Sequence, residues 1–181
     1  MKKETIFLIV GRSGTGKSTL VDMYCKEYGT TAIQSYTTRP KRYEGETGHI
    51  FVGKKNFPSS EEWVAYTKFD GYEYCATQQQ VEDNDFYIID QQGIFWFLQK
   101  YKGNKEIVII HLHCSIEEVY GRMFKRGDSN EDIKKRLKHD EDKFDRIYLL
   151  NCIDIDVGGN SKDSLQHSYK KFANLINSFK N

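Results

Sequence analysis

Only two prolines, Pro40 and Pro58, occur in the chain of 181 residues, so helix and strand breakers are scarce outside one short region. The four cysteines (Cys25, Cys75, Cys114 and Cys152) are widely spaced and form no Cys-x-x-Cys pair. That excludes a disulfide scaffold or zinc ribbon and predicts free thiols in a reducing cytoplasm. An excess of either charge is also missing, because 27 basic side chains face 26 acidic ones. A near-neutral chain does not advertise a nucleic-acid or membrane partner. No apolar run approaches the ~18 residues of a membrane helix. Lys2 and Lys3 precede too short an apolar run for a secretory signal. Repeats and low-complexity tracts are absent, which excludes solenoids and disordered linkers.

What is present is an alternation of two periods. Short apolar runs at Ile6–Val10, Phe86–Ile89 and Ile107–Leu112, and a weaker one at Ile147–Ile155, predict buried parallel strands. Helical spacing predicts helices near Lys17–Tyr28, Gly93–Tyr101, Ile116–Lys125, Glu131–Phe144 and Ser164–Phe179. Strand alternating with helix implies an α/β fold with a parallel central sheet covered on both faces. The rhythm fails from Tyr36 to Thr77, where both prolines lie and short mixed runs suggest a small β-rich insertion. The expected organisation is one domain over 1–181. Its core comprises 1–34, 78–125 and 146–181, with an insertion at about 35–77 and a charged lid at about 126–145.

The most informative stretch is Gly11-Arg12-Ser13-Gly14-Thr15-Gly16-Lys17-Ser18, between the first strand and the first helix. Glycines let main-chain amides turn inward around an anion, and the positive helix end faces the same point. Such a loop cradles the phosphates of ATP or GTP through Gly11, Ser13, Gly14, Thr15, Gly16, Lys17, Ser18 and Thr19. Lys17 reaches the β- and γ-phosphates, and the Ser18 hydroxyl holds Mg²⁺.

Two further clusters suit polyanions. Arg39 and Arg42 can grip a second phosphate bidentately, with the Tyr74 hydroxyl as an added hydrogen-bond donor; alone, they would read as a solvated turn. Arg122, Arg126 and Arg136 are candidates for neutralising a transferring phosphoryl group, or else for exposed helix ion pairs. Asp90 ends a strand, where ligands of open α/β sheets gather, and it also suits a helix N-cap or a Mg²⁺ water. His111 and His113 share a strand face, but no further ligands complete a metal site.

The cradle, together with Ser35-Tyr36-Thr37-Thr38-Arg39-Pro40-Lys41-Arg42, resembles the guanylate kinase family. Gly45-Glu46, Phe51-Val52, Phe69-Asp70-Gly71-Tyr72-Glu73-Tyr74, Asp90-Gln91-Gln92-Gly93 and the arginines of the lid follow in that family's order. The resemblance implies a three-layer P-loop fold with a nucleoside monophosphate (NMP)-binding insertion and a lid. It implies transfer of the γ-phosphate of ATP, with Mg²⁺, to GMP or dGMP by a cytoplasmic monomer or homodimer. Ser35, Arg39, Arg42, His49, Tyr74, Thr77 and Asp90 would bind the acceptor, and Lys17, Arg122, Arg126 and Arg136 would be catalytic. The chain departs from the pattern at Ala65, Ala76 and Ile88, near the guanine-reading positions, and at His49, where the family has Tyr. His49 could gain a charge near the acceptor phosphate. Another nucleotide, or a sugar phosphate, therefore stands as an alternative acceptor. A non-catalytic interaction module and a nucleotide-hydrolysing switch are the remaining readings.

Overall fold

The computed structural model describes residues 4–144, 147–159 and 161–180. Position 145 of the expected lid, and positions 1–3, 146, 160 and 181 of the expected core, lie outside the described residues. Four parallel strands form the central sheet: β1 (Thr5–Val10), β6 (Phe86–Ile88), β7 (Glu106–His113) and β8 (Cys152–Asp156), in the order β6-β1-β7-β8. β1 lies inside the sheet, pairing Ile9 with Ile88 on one side and with Ile110 on the other. Its residues from Ile6 to Val10 are fully buried because they alternate between two cores. Ile6, Leu8 and Val10 pack with Ile94 and Phe97 of α3 (Gln91–Lys100). Phe7 and Ile9 pack with Leu20, Val21 and Tyr24 of α1 (Lys17–Tyr28) and with Phe172 and Ile176 of α6 (Lys162–Lys180). Each such side chain contributes about 1.5–3 kcal/mol of burial, so the helical stripes fix which face each helix covers.

The chain runs from β1 to β6 on one side and then to β7 on the other, so the sheet changes direction at the end of β1. Crevices for ligands form at such points.

A second sheet is built by β2 (Ser35–Thr37), β3 (His49–Phe51), β4 (Trp63–Phe69) and β5 (Tyr72–Thr77), in the order β3-β2-β5-β4. Asp70 and Gly71, both with positive φ, make the tight turn between β4 and β5. This sheet rests on α3, where Trp63 and Tyr66 meet Trp96 edge-on. A five-residue helix, α2 (Gln78–Glu82), leads back to the central sheet.

α4 (Ile116–Arg126) begins with a Ser115/Glu118 capping box and stops at Gly127 in the left-handed conformation. The charged α5 (Asn130–Phe144) follows. The expected strand at 147–155 is shorter: Ile147–Leu149 is a 3₁₀ turn, closed by the Leu150 N–H donating to Ile147 O, and only Cys152–Asp156 joins the sheet.

Candidate functional site

The loop from Gly11 to Ser18 leaves β1 and enters α1 beside a cavity of about 510 Å³. Gly14 has φ +81°, and a Cβ there would come within 3.0 Å of Val119 O and 3.1 Å of Met123 Cγ. Only glycine lets the loop lie this close to α4. Ser13, Gly14, Thr15, Gly16, Lys17, Ser18 and Thr19 all line the cavity. The Lys17 ammonium curls back over the loop and donates to Gly11 O at 2.7 Å and to Arg12 O at 2.9 Å. Burial lowers its pKa from 10.5 to about 8, with the nearby Asp140 carboxylate opposing the shift. Ser18, exposed in the first helical turn, offers a hard oxygen to the cavity. With phosphate oxygens and waters, that donor set suits Mg²⁺, which keeps much of its own hydration.

The three expected lid arginines differ in what holds them. Arg122 is fully engaged by main-chain carbonyls, donating to Val157 O at 2.6 Å, Gly159 O at 2.7 Å and Thr15 O at 3.2 Å. It ties α4 to both walls of the first cavity. Arg126 is exposed and pairs with Asp128 through Nε at 3.0 Å and through Nη2. Arg136, on α5, lies at the longer distance of 4.0 Å from Asp128. Arg126 and Arg136 also line the first cavity.

A second cavity, of about 250 Å³, lies between the loop, the second sheet and α5. Ser35, Arg42, His49, Tyr74 and Asp90 line it, and Gly11 forms part of its wall. Ser13, Lys17 and Arg136 line both cavities, so the two meet at the phosphate loop. Ser35 Oγ and His49 Nδ1 hydrogen-bond at 2.9 Å. Burial, reinforced by Arg39, lowers the pKa of His49 below 6.5. The imidazole is therefore neutral near pH 7, whereas its isolated chemistry suggests a readily charged group. Asp90 caps α3, accepting from the Gly93 N–H at 2.7 Å, and its other oxygen accepts from the Thr67 hydroxyl at 2.8 Å.

Two expected acceptor residues stand apart from this cavity. Thr77 caps α2, where its hydroxyl accepts from the Gln80 N–H in a reciprocal capping box, and it does not line the cavity. Arg39 is buried at 8% exposure in an adjoining depression that it shares with Arg42, Tyr74 and Arg136. Its guanidinium donates to Glu46 through Nη2 at 2.8 Å and Nη1 at 3.2 Å. Glu46 also accepts from the Arg42 N–H at 2.6 Å. The Arg39 hydrogen bonds hold Glu46 at a pKa of about 2, well below 4.5, and raise that of Arg39. Arg39 Nε is buried without a partner. Arg42 remains half exposed in front of this pair, with its pKa lowered by burial and by Arg39. Glu46 thus organises both arginines. In the sequence Glu46 stands out only as part of the Gly45-Glu46 match, with no sign that it would anchor both arginines.

Further lining residues escaped sequence reasoning: Tyr66 and Thr67 from β4, and His139 and Asp140 from α5. The Asp140 carboxylate accepts a 2.6 Å hydrogen bond from the Ser13 N–H, across 127 residues. Only the folded chain brings that pair together. His111 Nδ1 bonds Asp154 at 2.7 Å, and no group of three or more candidate ligands exists among the described residues.

No family model matches the chain. It is 31% identical over 182 residues to a guanylate kinase of Neisseria meningitidis serogroup A, covering 92% of this chain and 87% of that protein. A guanylate kinase of Buchnera aphidicola (subspecies Baizongia pistaciae) is 32% identical, covering 76% and 72%. One from Protochlamydia amoebophila is 28% identical, covering 97% and 91%. Among solved structures, a gluconokinase from Sinorhizobium meliloti 1021 superposes over the whole of both chains with a TM-score of 0.51 at 12% identity, a likeness of fold alone. A phosphate loop at the reversal of a parallel sheet, a second sheet carrying arginines and relatives matched over most of their length lead to one assignment: the chain belongs to the guanylate kinase family.

Proposed function

We propose that the protein transfers the γ-phosphate of ATP to GMP, releasing ADP and GDP. The observation that carries this reading is the meeting of two cavities at Ser13, Lys17 and Arg136. ATP occupies the first cavity, with its phosphates along the amides of Gly14, Gly16, Lys17 and Ser18. The Ser18 hydroxyl would help hold the Mg²⁺ that accompanies ATP, and the ion would supply neutralisation of charge on the transferring group. GMP occupies the second cavity. Arg42 and Tyr74 take its phosphate, Arg39 supports them through Glu46 and its own free Nε, and Ser35, His49, Thr67 and Asp90 lie around the rest.

A GMP phosphate oxygen attacks the γ-phosphorus as the bond from that phosphorus to the β,γ-bridging oxygen breaks. The electron pair leaves with ADP. The attacking oxygen is already anionic, so no strong base is required, and catalysis is positioning plus charge neutralisation. Lys17, Arg126 and Arg136 supply the positive charge. Arg122, bound to carbonyls, acts by fixing the walls of the ATP cavity. Closure of α5 and the second sheet excludes water, so ATP is not spent on hydrolysis. Four free thiols, Cys25, Cys75, Cys114 and Cys152, support a cytoplasmic setting for this reaction. No helix among the described residues is long and apolar enough to cross a membrane.

The test is ADP release across GMP, dGMP, AMP, CMP, UMP, dTMP and ribose phosphates. GMP or dGMP should give the highest kcat/KM, and Arg42→Ala should raise the acceptor KM more than it lowers kcat. Faster turnover with any other acceptor would move the reading to a different base, the outcome that Ile88 in the cavity wall favours.

A further inference from the structure

Ala65, Ala76 and Ile88 stand near the guanine-reading positions of the family pattern, and none has a side chain that can hydrogen-bond. Ala65 and Ala76 are buried, pack with Ile94 and Phe97 of α3, and do not line the second cavity. Ile88 lines it, and with Phe69 and Ile89 it offers apolar surface to a flat ring. A polar corner lies beside that surface, where β4 meets the start of α3. Thr67 and Asp90 make the corner, with Thr67 Oγ donating to Asp90 Oδ2 at 2.8 Å.

The donors and acceptors at this corner are one-sided. A threonine hydroxyl has a single proton and two lone pairs. The Thr67 proton is committed to Asp90, because Gln92 Oε1 lies 3.5 Å away, too far to compete for it. The oxygen therefore shows lone pairs to the cavity, beside a carboxylate that also accepts. The neighbouring Tyr66 hydroxyl is spent on Glu73 at 2.9 Å. A corner made of acceptors fits a ligand edge made of donors. Guanine has such an edge, with its N1–H and 2-amino group side by side. Adenine and cytosine set a ring-nitrogen lone pair beside their amino group, and uracil and thymine carry one N–H between two carbonyls. Those edges would press lone pairs against lone pairs.

We infer that Thr67 is a specificity-determining residue of the acceptor cavity: its oxygen, oriented by Asp90, accepts a hydrogen bond from the 2-amino group of guanine. The inference rests on the proposed reaction with GMP. Thr67 then supplies a polar atom that Ala65, Ala76 and Ile88 lack. An amino group taken out of water without this acceptor would be left unsatisfied, which is costly.

The experiment measures kcat/KM at saturating MgATP for GMP and for inosine monophosphate (IMP), which lacks only the 2-amino group. The proteins are the full chain as wild type, Thr67→Val and Thr67→Ser, with circular dichroism and the KM for ATP verifying that each is folded. Val keeps the shape of the side chain and deletes the oxygen, whereas Ser keeps the oxygen. Wild type should prefer GMP to IMP. Loss of an acceptor for a buried donor corresponds to roughly tenfold in an equilibrium constant. Thr67→Val should therefore shrink the GMP preference about tenfold, chiefly through kcat/KM for GMP, and Thr67→Ser should retain it. An unchanged GMP-to-IMP ratio in Thr67→Val, including an equal loss on both substrates, would mark the residue as structural support and overturn the inference while leaving GMP as the acceptor. A wild type that uses an acceptor without guanine faster than GMP would instead overturn the acceptor reading, and the inference with it.

Discussion

Replacing Glu46 by Gln puts a neutral group where the fold demands an anion. Glu46 is 7% exposed and accepts from both terminal nitrogens of Arg39 and from the Arg42 main chain. These partners favour its ionised form, and its pKa falls from 4.5 to about 2. At about 1.36 kcal/mol per unit, that difference corresponds to roughly 3 kcal/mol of folding free energy at pH 7. Removing one member of a buried ion pair independently suggests about 3–5 kcal/mol, so the two routes agree.

Because the folded-state value is depressed, the stabilisation is complete above the unfolded value of 4.5 and disappears as pH falls through about 2. Gln resembles the protonated acid. Glu46→Gln should therefore be less stable than wild type by about 3 kcal/mol at pH 7 and by only about 2 kcal/mol at pH 3.5. Near pH 7 the thermal midpoint should drop by roughly 7–13 °C for a domain of this size. Urea denaturation at both pH values measures the gap. A difference under about 1 kcal/mol at neutral pH, or one that fails to narrow in acid, would refute the account. The acceptor KM should rise as well, since Arg39 and Arg42 lose their common anchor.

Lys17, with a pKa of about 8, sheds its charge in mild alkali when the loop is empty. MgATP binding should weaken as pH rises through that value, and Lys17→Arg, which stays charged, should hold its own affinity level to pH 9.5; a flat wild-type profile to that pH would contradict the assignment. Arg122→Ala strands three main-chain carbonyls and should cost about 2 kcal/mol or more of stability while raising the KM for ATP. Arg126→Ala loses only an exposed ion pair, worth under about 1 kcal/mol, and should chiefly lower kcat. Steady-state kinetics alongside denaturation would separate these two arginines, and equal stability losses would contradict the distinction.

Where the sequence speaks in contiguous runs, it is readable. The strands at Ile6, Phe86 and Ile107 are apolar blocks of buried-strand length, and α1 spans Lys17–Tyr28 because Gly16 and Gly29 bracket it in left-handed conformations. The phosphate loop is legible for the same reason, as eight adjacent residues built around main-chain amides. Short elements are not legible: β2 and β3 have three residues each, and α2 has five, too few to display a period. The run from Ile147 misleads because its apolar side chains do not all go inward. Tyr148 and Leu149 stay exposed in a 3₁₀ turn, and the strand starts only at Cys152. At the second cavity the difficulty is distance along the chain. Thr67 meets Asp90, and Asp140 meets Ser13, through tertiary packing that no local pattern encodes. Thr77 is the converse case, a polar residue beside a recognisable motif whose hydroxyl is already spent on a helix cap.

The two sheets share no hydrogen-bonded strand pair among the described residues, and the phosphate loop belongs wholly to the first. The β2–β5 unit can therefore be exchanged as a cassette without cutting a rung of the ladder that carries the loop, provided that Val64, Ala65 and Ala76, which pack into the core shared with β1 and α3, are kept. Chimeras that import this unit from kinases with other acceptors should retain their grip on ATP while changing what they phosphorylate. The fold is thus a fixed chassis with an interchangeable fitting.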